Sequence, residues 1–179
     1  MDMSILNTQT PETATGEVAE IYAQITQAWG AVPTALQVYS SNPILLKQTW
    51  EYYGSIMQHP TLSMPLTTTI RMLVSEGGNC SYCIDMNAGM LMNMAGWTAD
   101  QVAATRADHN HSPLSDKEKT MVGLVLKMTR DSNSITAPDL QTARDAGWTD
   151  SDILDAVNHG ARMVAGDIII NGFKVERDF

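Results

Sequence analysis

Positive charge is scarce in this sequence, which has 11 Lys and Arg residues against 20 Asp and Glu residues among its 179. The formal net charge is therefore −9 at pH 7. Binding to nucleic-acid phosphates or to an anionic membrane surface requires clustered cations. Apolar runs also fall well short of the roughly 18 residues that a membrane span needs. We expect neither a nucleic-acid partner nor a membrane association.

Cysteine is just as scarce, with only Cys80 and Cys83 in the chain. Small secreted domains held together by disulfides carry many more, so the sequence excludes this class. The start of the chain, Met1-Asp2-Met3-Ser4, has neither the basic segment nor the apolar stretch of a signal peptide. These observations predict a cytoplasmic location.

The alternation of apolar and polar residues that marks a half-buried strand is lacking, whereas helical spacing recurs along the chain. An early example is the set Val18, Ile21, Ile25 and Trp29. Helix starts are also marked, since Asn42 precedes a proline at a first helical position and Asn79 is expected to cap a helix from Cys80 to about Ala95. The sequence predicts an all-α fold.

Paired residues three positions apart predict four further helix starts by forming capping boxes. The pairs are Thr98 with Gln101, Ser115 with Glu118, Thr136 with Asp139, and Thr149 with Asp152. The last of them opens a long final helix that is expected to run to about Phe173.

A weak internal repeat organises the chain. Leu62-Ser63 recurs as Leu114-Ser115, and Ala95-Gly96-Trp97-Thr98 recurs as Ala146-Gly147-Trp148-Thr149. Duplication of a helical unit is the preferred interpretation, and chance combined with shared capping chemistry is the alternative.

The organisation that follows is one domain in three parts, because 179 residues is an ordinary domain size. N-terminal helices occupy about 12–58, a repeat with both cysteines about 62–107, and a cysteine-free repeat about 114–158, which continues into the final helix. Chemistry is expected where the two copies differ.

The two cysteines form a C-x-x-C motif in the first turn of a predicted helix. The spacing places both sulfur atoms on one helix face, close enough to form a disulfide. Backbone N–H groups without helical partners, together with the positive end of the helix dipole, favour the thiolate there. Because disulfides in a reducing cytoplasm are usually catalytic or redox-sensing, the motif predicts a pair that cycles between dithiol and disulfide.

Two other interpretations of the cysteines stay open. Both thiols could be small buried apolar groups, since cysteine is often found in protein cores. The motif could also be half of a zinc site, for which His109 and His111 are the nearest histidine pair, although their spacing matches no zinc-finger pattern.

Three neighbours of the cysteines are candidate site residues. Glu76 lies at the end of the preceding predicted helix, where a carboxylate opposes the helix dipole and suits a general acid or base; a solvated terminal residue is the alternative. Tyr82 could donate its phenol, with a packed aromatic side chain as the alternative. Asn87 follows Cys83 by four residues and could orient a water or a thiol.

These residues carry a resemblance to a known family. The stretches involved are Ser75-Glu76, Asn79–Met86, Ala28–Pro33, Asn42-Pro43, Leu114-Ser115 and Ala146–Thr149. With them, the chain resembles the alkylhydroperoxidase D-like (AhpD-like) branch of the carboxymuconolactone decarboxylase superfamily over about residues 15–175. The block around the cysteines is the most specific part.

The resemblance implies an all-α helical bundle that assembles as trimers or hexamers and reduces hydroperoxides through a disulfide between Cys80 and Cys83. It implies that Cys83 is the peroxidatic cysteine and that Cys80 resolves its sulfenic acid, with an external dithiol as reductant. The interpretation includes no cofactor and no metal ion.

The chain departs from the family at two positions. The family has a histidine four residues after the second cysteine, where this chain has Asn87, and a glutamate about twelve residues before the first, where it has Thr68. Glu76 is the best local substitute as a base. The alternative function is therefore a non-catalytic redox sensor or binding protein of the same fold.

The final helix is apolar around most of its circumference, which predicts burial on more than one side. Its apolar residues are Met163, Val164, Ala165, Ile168, Ile169, Ile170 and Phe173. A second candidate surface is the row Met86, Met90 and Met94. We expect a closed homo-oligomer, with trimer or hexamer implied by the resemblance; the alternative is a helix wrapped entirely by its own chain.

Overall fold

A computed structural model describes residues 4–178, which form α-helices and short 3-10 turns and contain no strand. The helices are α1 Gly16–Trp29, α2 Thr34–Gln37, α3 Pro43–Met57, α4 Met64–Gly78, α5 Ser81–Ala95, α6 Ala99–Ala107, α7 Asp116–Arg130, α8 Ala137–Asp145 and α9 Asp150–Gly172. The predicted all-α class is confirmed. No described helix is long and apolar enough to cross a bilayer. Met1–Met3, on which the expectation about a signal peptide depends, lie outside the described range.

The chain divides into two compact units, and the prediction of one domain stays a prediction. The first unit comprises the chain up to Gln58 together with the segment from Ile169 onward. Its core is an apolar cluster made by α1, α2, α3 and the turn before α2, with Val18, Ile21, Tyr22, Ile25, Val32, Leu36 and Leu46 buried. The C-terminal segment is attached there by hydrogen bonds, since the Thr34 N–H donates to the Asp178 carboxylate at 2.9 Å.

The second unit, His59–Ile168, is built around α4, which packs against α5 and α7. Every residue from Leu66 to Ser75 is buried, so α4 is enclosed on all sides. A helix enclosed in this way must place its polar side chains in the interior too, and these require hydrogen-bond partners there. Thr68, Arg71 and Ser75 are such residues, and all three lie close to the cysteines in sequence.

Hydrogen bonds form at all four predicted capping boxes. At Thr98, Ser115 and Thr149 the side-chain oxygen accepts the N–H of the third helical residue, whose own side chain accepts the N–H of the cap. At Thr136, the Asp139 carboxylate accepts the N–H and the hydroxyl of the cap. Each copy of the repeat runs helix, break, helix, Ala-Gly-Trp-Thr, helix.

One predicted cap is wrong by a residue. Asn79 does not start α5 but ends α4, in the left-handed conformation with φ 49° and with its N–H on the Glu76 carbonyl. Asparagine tolerates this conformation better than other side chains with a Cβ, which explains its place after two glycines. The N-cap of α5 is Cys80, whose Sγ accepts the N–H of Cys83 at 3.3 Å.

Candidate redox site

The two cysteines are bonded to each other at the start of α5. Cys80 and Cys83 form a disulfide with Cα atoms 5.3 Å apart, and both side chains are buried, with exposures of 0% and 4%. The spacing therefore does bring the two sulfur atoms together. A buried pair that can form a disulfide is an electron-accepting group shielded from bulk solvent.

The backbone around the disulfide favours a thiolate once the bond is reduced. Cys80 Sγ accepts the Cys83 N–H, and it lies at the N-terminus of α5, where the helix dipole is positive. The Cys80 N–H itself donates to the Ser75 carbonyl at 3.1 Å, which ties the start of α5 to the end of α4. Negative charge is thus stabilised most directly on Cys80.

A third side chain, Asp167 of α9, lies beside the two sulfurs. One of its carboxylate oxygens and both Sγ atoms lie within 4.8 Å of one another. Asp167 is only 2% exposed; its Oδ1 accepts the Ser75 hydroxyl at 2.8 Å, whereas its Oδ2 has no hydrogen-bond partner among the described residues. Burial raises the pKa of this carboxyl from 3.8 to about 6, and the Ser75 hydrogen bond opposes that rise.

Gly78 makes the close approach of Asp167 possible. A Cβ built on this glycine would lie 2.6 Å from Asp167 Oδ2 and 3.0 Å from Asp167 Cβ, closer than real side chains pack. Its neighbour Gly77 has open space at the same position. Gly78 therefore has a role that Gly77 does not share, because the absence of its side chain lets a buried acid reach the disulfide.

Asp167 also lines a cavity of about 300 Å³ between α4, α7 and α9. The lining is mostly apolar, with one cation, and comprises Leu73, Val74, Gly77, Gly78, Leu126, Thr129, Arg130, Val164 and Asp167. The carboxyl group consequently borders both the sulfurs and an open space.

The sequence-predicted base, Glu76, is engaged elsewhere. Its carboxylate forms an ion pair with the Arg106 guanidinium of α6, on a partly exposed surface. It is not a member of the group of side chains that surrounds the sulfurs. Tyr82, the other candidate proton donor, is buried at the start of α5, and its role stays a prediction.

Asn87 and Thr68, the two positions that differ from the family that the sequence resembles, are joined by a buried cation. Arg71 Nε donates to Asn87 Oδ1 at 2.7 Å, and Arg71 Nη2 donates to Thr68 Oγ1 at 3.1 Å. The Asn87 amide nitrogen donates to the Cys83 carbonyl at 2.7 Å. Asn87 therefore supports the backbone of the motif and offers no group that could carry a proton.

The histidines do not complete a metal site with the cysteines. His159 is buried, and its Nε2–H donates to the Thr67 carbonyl at 3.2 Å; burial and the Arg71 charge lower its pKa to about 3, so it is neutral. Neither His109 nor His111 belongs to the group around the sulfurs. Among the described residues, a zinc ion could draw on only three donors there, one fewer than a closed structural site.

Sequence reasoning missed Asp167, Ser75 and Arg71. Asp167 had a usable signal, because it is the one charged residue in the apolar stretch 163–170 of the final helix. A lone acid on an otherwise apolar helix is expensive to bury and is retained where it has a partner or a task. Its distance from the cysteines in sequence, more than 80 residues, concealed the connection.

Comparisons with known proteins support the fold. No family model matches the chain, and no curated protein matches it. Two similar solved structures are uncharacterized peroxidase-related proteins, described in one case as an alkylhydroperoxidase AhpD core. The protein from Silicibacter sp. TM1040 has 21% identity, a TM-score of 0.80 and coverage of 98% of this chain and 90% of its own. The AhpD core from Ralstonia eutropha JMP134 has 17% identity, a TM-score of 0.85 and coverage of 99% and 94%.

A third similar structure is a protein of unknown function from Agrobacterium tumefaciens, proposed as an antioxidant defence protein AhpD. It has 17% identity and a TM-score of 0.66, with coverage of 79% of this chain and 95% of its own. At these identities the comparisons establish the fold, which is AhpD-like, as the resemblance in sequence predicted.

Proposed function

We propose that this chain, which has the AhpD-like fold, is a dithiol/disulfide oxidoreductase that reduces hydroperoxides. The observation that carries the proposal is the Cys80–Cys83 disulfide at a helix N-terminus, with a buried carboxyl group beside it. The fold of the peroxidase-related proteins supports the same chemistry. A reducing compartment such as the cytoplasm would supply the dithiol that the cycle needs.

The reaction balances in three steps. The Cys83 thiolate attacks the terminal oxygen of ROOH, the O–O bond breaks, and with one proton the products are ROH and a sulfenic acid on Cys83. The Cys80 sulfur then attacks the Cys83 sulfur and expels water as the disulfide forms. An external dithiol reduces that disulfide and becomes a disulfide itself.

The structure suits Cys80 to the resolving role that the resemblance implies. Resolution requires a nucleophilic sulfur on Cys80, and the Cys83 N–H donates directly to that atom. A stabilised thiolate is also a good leaving group when the external dithiol attacks Cys83. We therefore assign the attack on peroxide to Cys83 and the resolution to Cys80.

A second candidate is a redox sensor that forms the disulfide without catalytic turnover. It is favoured by the hydrogen bonds that commit Asn87 and Thr68 to Arg71, and by the burial of both sulfurs. Such a protein would report an oxidant through the state of its cysteine pair.

A peroxide-consumption assay with a dithiol donor separates the two functions. We expect Cys83→Ser to abolish consumption, Cys80→Ser to permit one turnover that leaves a sulfenic acid, and Ser81→Ala, an exposed neighbour, to behave as wild type. Disulfide formation with one equivalent of peroxide, without further consumption, would instead support the sensor.

We also propose the expected homo-oligomer. Leu154 and Ile168 are each 68% exposed and lie 14 residues apart on α9, which is close to four helical turns and places them on one face. On α5, Met94 is 59% exposed. Full burial of an exposed Ile is worth roughly 1.5–3 kcal/mol. Light scattering at micromolar concentration should show a species larger than the 19.6 kDa monomer, and Ile168→Glu should dissociate it.

A further inference from the structure

We propose that Asp167 is the proton-transfer group of the cysteine pair, taking the place of the histidine and glutamate that this chain lacks. The inference rests on the proposed function only in requiring that Cys80 and Cys83 cycle between disulfide and dithiol. The inference gives a role to Asp167 of α9, a residue that belongs to none of the motifs found in the sequence.

Position is the first argument. An Asp167 carboxylate oxygen lies within 4.8 Å of both sulfurs, so one acid can serve either cysteine. Ser75 holds Oδ1 by a hydrogen bond, which orients the group and leaves Oδ2 free of partners among the described residues. A free oxygen on an oriented buried carboxyl is the arrangement that proton transfer requires.

Elimination of the neighbouring groups is the second argument. Asn87 and Thr68 cannot carry a proton at neutral pH and are hydrogen-bonded to Arg71. Glu76 is paired with Arg106, and His159 donates to a backbone carbonyl. Among the described residues, Asp167 is the acid that shares a group with both sulfurs, all within 4.8 Å of one another.

The protons balance in both directions. When a reductant thiolate attacks Cys83, the S–S bond breaks, the electron pair leaves on Cys80 sulfur, and Asp167 gives that sulfur its proton. When Cys80 later attacks the sulfenic acid on Cys83, the Asp167 carboxylate takes the Cys80 proton, and the departing hydroxyl leaves as water with a proton from solvent. The cavity of about 300 Å³ beside Asp167 gives the carboxyl a route for exchanging protons with solvent.

The surroundings of Asp167 allow its carboxyl group to gain and lose a proton near neutral pH. The raised pKa of about 6 means that both forms of Asp167 are populated between about pH 5 and 7. Among the described residues, Cys80 and Cys83 lie within 4.8 Å of its carboxylate, and Arg130 of α7 lines the same cavity; α4 contributes the uncharged Ser75 and Gly78.

Two single-turnover measurements on Asp167→Asn, without peroxide cycling, test the inference. The first follows reduction of the disulfide by dithiothreitol, and the second follows its formation in the reduced protein with one equivalent of hydrogen peroxide. At each pH the rate is divided by the wild-type rate, which cancels the titration of the reagent. Asp155→Asn is the matched control, since it removes another carboxylate from α9, one that contacts His59.

We expect opposite pH dependences for the two reactions. Reduction needs the acid, so the variant should be slower by about 10–100-fold below pH 6 and approach wild type above it. Disulfide formation needs the base, so its deficit should grow above pH 6. A deficit that is independent of pH, or equal to that of Asp155→Asn, would overturn the inference.

A measurement on the wild-type protein covers the case in which the variant does not fold. Infrared difference spectra between oxidised and reduced protein should contain a carboxylic-acid C=O band that titrates near pH 6. Its absence at every pH would overturn the inference as well. If peroxide is not turned over but both Asp167→Asn deficits appear, the proposed function fails and the proton-transfer role stands.

Discussion

The two helical repeats share a scaffold and differ at one break. In the first copy, α4 ends at Gly78, a single left-handed residue follows, and Cys80 already caps α5. In the second copy, the break between α7 and α8 spans residues 131–136 and contains a 3-10 turn, Ser132–Ser134. The short break holds the cysteines against the end of α4, whereas the longer one contains no cysteine.

The copies also differ in what they place near Asp167. With the 52-residue offset that aligns Ser63 with Ser115, Gly78 corresponds to Arg130. Gly78 and Arg130 both line the cavity beside Asp167. Gly78 brings no side chain to it, whereas Arg130 brings a cation. The candidate site is therefore assembled from both copies: the first supplies the cysteines, and the last helix of the second supplies the acid. The difference between the copies is what creates the candidate site.

The largest effect is expected when Gly78 is given a side chain, as its counterpart Arg130 has in the second copy. Gly78→Ala should displace Asp167, slow disulfide reduction about 10–100-fold and lower the free energy of unfolding by about 1–3 kcal/mol. Stopped-flow reduction and urea unfolding measure the two quantities. Gly77→Ala is the matched control and should be neutral or stabilising by up to about 1 kcal/mol, because its Cβ meets nothing. Equal behaviour of the two variants would contradict the role given to Gly78.

The next effect concerns stability between pH 4 and 7. Because the folded-state pKa of Asp167 is raised from 3.8 to about 6, the folded protein binds more protons than the unfolded chain in that interval. Its contribution to the free energy of unfolding is thus fully present below about pH 4 and is lost as pH rises through 6. Asp167→Asn should remove this pH dependence. The free energy of unfolding of the variant, relative to that of wild type, should therefore rise by about 2 kcal/mol from pH 4 to pH 7. Urea titrations across that range check it, and an unchanged slope would be inconsistent with the raised pKa.

His159, on the same helix, should act in the opposite direction. Its pKa is lowered from 6.5 to about 3, so the unfolded chain binds more protons between these values. Its contribution to stability is present above pH 6.5 and is lost as pH falls towards 3. Between about pH 4 and 6, the contributions of Asp167 and His159 to the pH dependence of stability have opposite signs. Only variants that change one of the two residues separate them. In His159→Gln, unfolding measured from pH 7 to 4 should lose less stability than wild type; a larger loss would refute this account.

A smaller effect is expected from placing a histidine at position 87, as in the family that the sequence resembles. Asn87→His would place a proton carrier four residues after Cys83, but the position lies against the Arg71 guanidinium, which would lower the pKa of a histidine there. We therefore expect a gain of less than about tenfold in kcat, an order below ordinary acid–base contributions. The pH–rate profile of the variant checks this expectation, and a gain of a hundredfold would show that Arg71 does not constrain the position.

The smallest effects should come from the caps that both copies share. Thr98→Ala and Thr149→Ala each remove one capping box and should each lower the free energy of unfolding by about 1 kcal/mol. Neither should change the rate of disulfide reduction measured by stopped flow. A rate change at either cap would mean that the shared scaffold contributes to the chemistry.

Local interactions explain what the sequence determined by itself. Helical spacing, capping pairs and helix-stopping glycines act over three or four residues, so the all-α class, most helix bounds and the order of the repeat could be read directly. The cysteine pair could be predicted for the same reason, because both residues lie in one helical turn. The cap at Asn79 was wrong because a left-handed C-cap and an N-cap use the same residue types, and only the backbone conformation distinguishes them.

The tertiary structure alone decided which groups surround the sulfurs. Asp167 comes from a helix more than 80 residues away, and its approach depends on a glycine whose importance lies in an absent side chain. Glu76, four residues before Cys80, was the acid predicted from the sequence, yet the fold pairs it with Arg106. Charge, burial and distance between separate helices are properties of packing, and no periodicity along the chain encodes them. The sequence thus determined the elements and the cysteine pair, and the packing of α9 decided which acid lies beside that pair.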